Sequence, residues 1–327
     1  MPRLLALPLL LVALAGCDAG PAGSDRAPAA PAPEAGAGVT AVATVFPLAW
    51  VVEQVAPSAE VTLVGGGGRD PHDLELSPAD RTRLESADVL AYLGDIGFQP
   101  QVEEAVRASG GQIVSAAQVA GDERLLTVDE GQDAVGPAVP DAAREGPVDP
   151  HLWFDPAIMA DVALRTGEAF AAADPAGTRG YRANAEAVHD ALATLDTELD
   201  ALLDSCRFEE VIVSHEAYAY LLEPHGLRQK GLTGAGGHVE ASPRRIADLS
   251  AEVRAEGLPA VLVEPVEGRA EAEAVGAETG VELVDIYSLD IVTDDQAAKG
   301  LVRLLREQAQ AVARAAGCSG HTGGLPR

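Results

Sequence analysis

The sequence predicts an α/β fold of two lobes, each a parallel sheet flanked by helices, joined by one long helix. Three observations lead there. Short β-branched runs alternate with longer amphipathic ones from Val39 to Ser115 and again from Val211 to Ala315, the pattern of βαβ units. Between the two series, Val188, Leu192, Leu195, Leu199 and Leu202 are spaced 4, 3, 4 and 3 within residues 181–205, a single apolar stripe along a helix roughly 37 Å long. The chain has 327 residues, enough for about two domains, each able to bury its own core.

The elements follow in order. Arg3 precedes an apolar run, Leu4 to Ala13, that ends in Leu14-Ala15-Gly16-Cys17. The run is too short to span a bilayer and reads as an export signal over residues 1–16. The small residues before Cys17 resemble a lipobox, which implies that Cys17 is acylated; an ordinary signal with an incidental cysteine is the alternative. Residues 17–38 are almost all Ala, Pro, Gly, Ser and charged residues, the composition of a flexible tether. The first lobe spans 39–180, with strands expected at 39–45, 61–64, 89–93 and 113–115 and helical runs at 48–55, 79–84 and 102–106. Asp155-Pro156 marks a further helix start. Segment 121–148 is rich in acidic residues, Gly and Pro and is expected to be a mobile acidic loop. The second lobe spans 206–327, with strands at 211–213, 229–232, 260–263 and 281–284 and helices at 217–222, 243–253, 270–277 and 295–315. Cys206 and Cys318 are an even pair, which outside the cytoplasm can form a disulfide; two buried thiols are the alternative.

Charge narrows the partners. Lys and Arg number 23 against 51 Asp and Glu, a net charge of −28. Such a chain repels nucleic acid and anionic lipid, so no nucleic acid partner is expected, and its field favours cations. Aromatic residues make up 4%, too few for a platform that stacks sugars or bases. No stretch after the signal is long and apolar enough to cross a membrane, so the body is expected to be soluble and held by lipid alone.

The chemistry rests on histidine. Asp70-Pro71-His72 and Asp149-Pro150-His151 repeat a tripeptide that sets each imidazole on a rigid turn. His215 ends a strand that runs into a helix, which Ser214 is expected to cap; the helix N-terminus would then keep the ring neutral. Asp285 stands directly after the strand 281–284. In open parallel sheets, ligands bind beyond the carboxyl ends of strands, where His72, His215 and Asp285 all fall. Three imidazoles and a carboxylate make a closed tetrahedral Zn²⁺ site, here expected from His72, His151, His215 and Asp285. His238 in its glycine loop, Glu264 and Asp290 are weaker candidates. His189 is expected to be solvated, His225 to sit at a helix C-terminus, and His321 to lie in a frayed tail.

Asp70-Pro71-His72-Asp73, Asp149-Pro150-His151-Leu152-Trp153-Phe154-Asp155-Pro156, Ser214-His215-Glu216-Ala217-Tyr218 and Val263-Glu264-Pro265 together resemble the solute-binding lipoproteins of bacterial zinc and manganese ABC importers, in order from Val39 to Ala316. The resemblance implies two α/β lobes joined by one long helix and a metal bound between them by His72, His151, His215 and Asp285. Asp285 has the loosest local match, and Asp290 is its rival. The resemblance further implies an extracytoplasmic receptor, held at the membrane by lipid on Cys17, that works as a monomer and hands metal to a membrane-embedded ABC permease. Segment 121–148 departs from zinc-type members, which often carry a histidine-rich loop there; this one holds no histidine. Manganese-type members tend to place a carboxylate at the position of His215, so the imidazole points to Zn²⁺, with Mn²⁺ as the alternative. Because imidazoles bind metal only when deprotonated, affinity is expected to fall through pH near 6.5. The competing reading from another class is a zinc hydrolase or lyase, with water in the fourth position and Asp285 or Glu264 as base; no His-Glu-x-x-His helix or nucleophile elbow supports it.

Overall fold

A computed structural model describes residues 38–65, 71–128, 146–235, 241–265 and 268–319. In the first lobe, β1 (Thr40–Ala43), β2 (Glu60–Leu63), β3 (Val89–Tyr92) and β4 (Gln112–Ser115) form a parallel sheet in the order β2-β1-β3-β4. In the second, β5 (Glu210–His215), β6 (Arg228–Thr233), β7 (Ala260–Val263) and β8 (Glu282–Asp285) repeat the arrangement as β6-β5-β7-β8. The connections change direction between the two central strands of each sheet, and a cleft opens beyond the carboxyl ends at such a point. β3 and β7 are buried at every residue, which is why they read as unbroken apolar runs rather than alternating ones.

Helices cover both sheets: α1 (Phe46–Val55), α2 (Pro78–Ser86), α3 (Pro100–Ala108), α4 (Ala116–Ala120), α5 (Pro156–Ala173), α6 (Thr178–Leu203), α7 (Ala219–Leu222), α8 (Pro243–Glu256), α9 (Arg269–Thr279), α10 (Asp294–Ala297) and α11 (Leu301–Ala316). Asp155 caps α5 as expected, its Oδ1 accepting from Ala157 N at 2.8 Å and Ile158 N at 3.0 Å, with Pro156 in the first turn. The rest of α5 escapes a periodicity argument because eleven of its 18 residues are buried, leaving no single apolar stripe.

The long helix α6 has 26 residues, about 39 Å, and begins and ends slightly before the expected span. All five residues of its predicted stripe are buried. It packs against α1 and α5 of the first lobe and α11 of the second. Gly167 of α5 lets the helices approach closely, since a Cβ there would lie 2.7 Å from that of Ala185. Arg306 of α11 donates to Glu198 of α6 through both Nε and Nη2, at 2.9 and 2.5 Å. One core cluster runs from Val39 through Leu192 to Val312 and so crosses both lobes. A smaller cluster lies on the outer face of each sheet, around Leu84 and Leu90 in one and Leu249 and Val261 in the other.

Two expectations are corrected. The helix expected over 295–315 is two, because Gly300 adopts φ of +78° and a Cβ there would lie 3.1 Å from Trp50 Nε1. Ser214 caps no helix: it lies inside β5, and α7 begins only at Ala219. The ends of the acidic segment 121–148 are paired, with Thr127 bridging Val148 and Val128 N donating to Pro147 O at 2.9 Å; residues 129–145 lie outside the described residues. Cys206 and Cys318 form a disulfide between the ends of α6 and α11. Cys17, His238 and His321 lie outside the described residues, as do 1–16 and most of the expected tether. Among the described residues, no helix is long and apolar enough to cross a membrane.

Candidate metal site

His72, His151 and His215 converge, with one nitrogen from each within 4.8 Å of the others. Their ring centroids lie 5.1 to 5.7 Å apart. Tetrahedral Zn–N bonds of about 2.0–2.1 Å set ligand atoms about 3.4 Å apart, so small side-chain adjustments suffice to close on an ion.

Each ring is held from behind. Phe98 packs edge-on to His72 at 4.7 Å, and Gln99 Nε2 donates to Pro71 O at 3.4 Å. His151 is fully buried, and Asp149 Oδ1 accepts from both its backbone N (2.9 Å) and its Nδ1 (2.7 Å). That bond assigns the proton to Nδ1 and leaves the lone pair on Nε2, a buried atom with no hydrogen-bond partner among the described residues. His215 closes β5, with Nδ1 3.1 Å from Glu264 Oε1 and Nε2 3.2 Å from Ala235 O. Glu264, rather than the expected helix N-terminus, therefore addresses this ring.

The carboxylate the structure brings to the triad is Asp290, not Asp285. Asp285 ends β8, the edge strand of its sheet; its side chain is 58% exposed and lies 3.4 Å from Arg269 Nη1. The Asp290 side chain is 1% exposed, with Oδ2 3.6 Å from His72 Nε2. Its Oδ1 accepts from Ser288 Oγ and from Ile291 N, the latter at 2.8 Å, which frees Oδ2 to face the histidines. The turn inward passes through Leu289 at φ of 66°, a conformation uncommon outside glycine. Burial by itself would raise the pKa of Asp290, but His72, His151 and the Ser288 hydroxyl outweigh it and hold the carboxyl well below its ordinary range.

The other candidate groups are engaged elsewhere. Glu264 Oε1 accepts from Tyr218 OH at 2.6 Å as well as facing His215. Glu216 turns away from the triad to accept from Gly231 N at 2.6 Å, and burial raises its pKa. His225 lies 3.6 Å from Asp200, and His189 is beside Asp190 at the surface.

Sequence reasoning passed over the residues that support the ligands: Asp149, Tyr218 and Ser288. For Asp149 a signal existed, because an Asp two residues before a His on a proline turn can reach both the backbone and ring N–H groups. Three bonds, made by two side chains, also cross between the lobes beside the site. Trp153 Nε1 donates to Ser288 O at 2.8 Å. Tyr220 OH donates to Asp149 O at 3.3 Å and accepts from Leu126 N at 2.9 Å.

Comparison with known proteins agrees with this architecture. The zinc-binding protein AdcA of Streptococcus pyogenes serotype M6 is 24% identical over 272 residues, covering 80% of this chain and 52% of AdcA. The chain thus spans about half the length of these AdcA relatives. The manganese-binding lipoprotein MntA of Halalkalibacterium halodurans is 25% identical over 304 residues, covering 91% of this chain and 93% of MntA. The crystallised periplasmic zinc-binding protein TroA of Treponema pallidum shares the fold with a TM-score of 0.71 at 20% identity, over 85% of this chain and 98% of TroA. The profile of the family described as zinc-uptake complex component A, periplasmic (ZnuA), matches residues 41–315. That match runs through both sheets and the helix between them, and the chain belongs to the ZnuA family.

Proposed function

We propose that this protein is an extracytoplasmic receptor that captures Zn²⁺ between its lobes and delivers it to a membrane-embedded ABC permease, without chemical turnover. The convergence of three imidazoles from two lobes on one point carries the reading. His72, His151, His215 and Asp290 are the ligands, two from each lobe, and with zinc they form a closed four-coordinate site. The charge suits the cargo: three neutral nitrogens and one carboxylate favour a borderline-soft dication over harder ones. Manganese is the second reading, supported by the likeness to MntA, and three nitrogen donors weigh against it. A hydrolase needs an unengaged base beside an open metal position, and Glu264, Glu216 and Asp285 are all engaged.

Lipid on Cys17 holds the protein at the membrane in this reading, and it works as a monomer. Zinc titration against a chromophoric chelator, with elemental analysis of natively purified protein, tests the function. One tightly bound zinc per chain is expected, and its loss in His72→Ala; wild-type protein with no zinc above background overturns the reading. Cys17→Ser is expected to move the protein from the membrane to the soluble fraction.

A further inference from the structure

We propose that Glu264 is a positioning residue that, together with Tyr218, fixes the ring of His215 and strengthens the preference of the site for zinc over manganese. The inference rests on the metal-site reading above and adds to it a group that touches no metal.

The geometry around Glu264 is specific. Its side chain is 6% exposed. Its backbone N donates to Ser214 Oγ at 2.9 Å, which ties the end of β7 to the residue before His215. A few residues on, Gly268 takes φ of +62°, and a Cβ there would lie 2.9 Å from both Ser214 Cβ and Ser214 O. Gly268 therefore lies directly against Ser214. Oε1 then serves two neighbours: the Tyr218 hydroxyl donates to it at 2.6 Å, and His215 Nδ1 lies 3.1 Å away. With Nδ1–H directed at Glu264, the neutral ring carries its lone pair on Nε2, which faces Ala235 O at 3.2 Å. Asp149 stands behind His151 in the same relation, so each lobe supplies one histidine backed by a carboxylate.

Such a carboxylate makes the imidazole a stronger donor and locks its tautomer. Zinc gains more from nitrogen donors than manganese does, so removing the charge weakens zinc more than manganese. Glu264→Gln keeps an oxygen for Tyr218 and His215 but removes the charge. Zinc affinity is expected to fall about 10- to 100-fold, with a smaller fall for manganese, and the visible spectrum of Co²⁺-loaded protein is expected to shift. Tyr218→Phe, which frees the carboxylate to rotate, is expected to act in the same direction with a smaller effect, and it carries the test if Glu264→Gln does not fold. Unchanged zinc affinity, zinc-to-manganese ratio and Co²⁺ spectrum in the folded variants overturn the inference while wild-type zinc binding leaves the receptor reading intact. Absence of zinc binding in the wild type, by contrast, overturns that reading itself.

Discussion

Asp285 and Asp290 are five positions apart and carry the same group, yet only one faces the histidines. The rule that ligands lie beyond strand ends led to Asp285, but Asp285 is still inside β8, paired with Val263, with its side chain beside Arg269 at the surface, and the chain turns inward only at Leu289. Asp290→Asn is expected to lower zinc affinity about 100-fold or more, as loss of a direct charged ligand exceeds the 10- to 100-fold typical of supporting groups; Asp285→Asn is expected to stay within about 3-fold. Competition titrations with one chelator on both variants decide the assignment, and equal losses would sink it. The histidines were legible because a proline turn or a strand end singles each out in the sequence. The support of His215 was not, since Glu264 lies 49 residues away and no local pattern joins the two. At Gly268 the positive φ and the close approach to Ser214 both exclude a side chain, so Gly268→Ala is expected to cost about 1–3 kcal/mol in urea unfolding.

Elements followed the sequence where burial leaves a local mark. The stripe of α6 came through because burial on one side imposes a period, and the strands because burial on both faces leaves short unbroken apolar runs, whereas α5, a long helix buried on most sides, shows no stripe. The disulfide between Cys206 and Cys318 closes a separation of 112 residues, and Cys206→Ser with Cys318→Ser is expected to cost about 4 kcal/mol, read as a lowered urea midpoint without a lost fold. Close to it, just after α7 and facing α6, burial lowers the pKa of His225 from the usual 6.5 while Asp200 opposes the shift. A histidine lowered in this way takes up its proton more readily when unfolded. Its contribution is therefore complete above about pH 6.5 and is lost as pH falls through the lower folded value. Metal-free His225→Asn is expected to lose less stability than the parent between pH 7.5 and 5.5, and urea midpoints at the two pH values measure the difference.

Across the whole molecule, two side chains bind the lobes beside the metal site: Trp153 reaches the loop that carries Asp290, and Tyr220 reaches the peptide of Asp149. Tyr220→Phe removes its hydrogen bonds to Asp149 O and Leu126 N, at about 1 kcal/mol each, and is expected to speed zinc dissociation by about 3- to 10-fold in stopped-flow chelation. An ion held by both lobes stabilises only the folded chain, so zinc at 100 times its Kd is expected to add about 2.7 kcal/mol; a thermal shift reversed by a chelator tests this. The sequence by itself determined the two βαβ series, the helix between them and the three histidines, because periodic burial and proline turns leave marks within a few residues. Only the tertiary structure decided that Asp290 faces the histidines and that Glu264 stands behind His215. Those choices depend on strand order and on contacts between residues far apart in the chain, which no local pattern records.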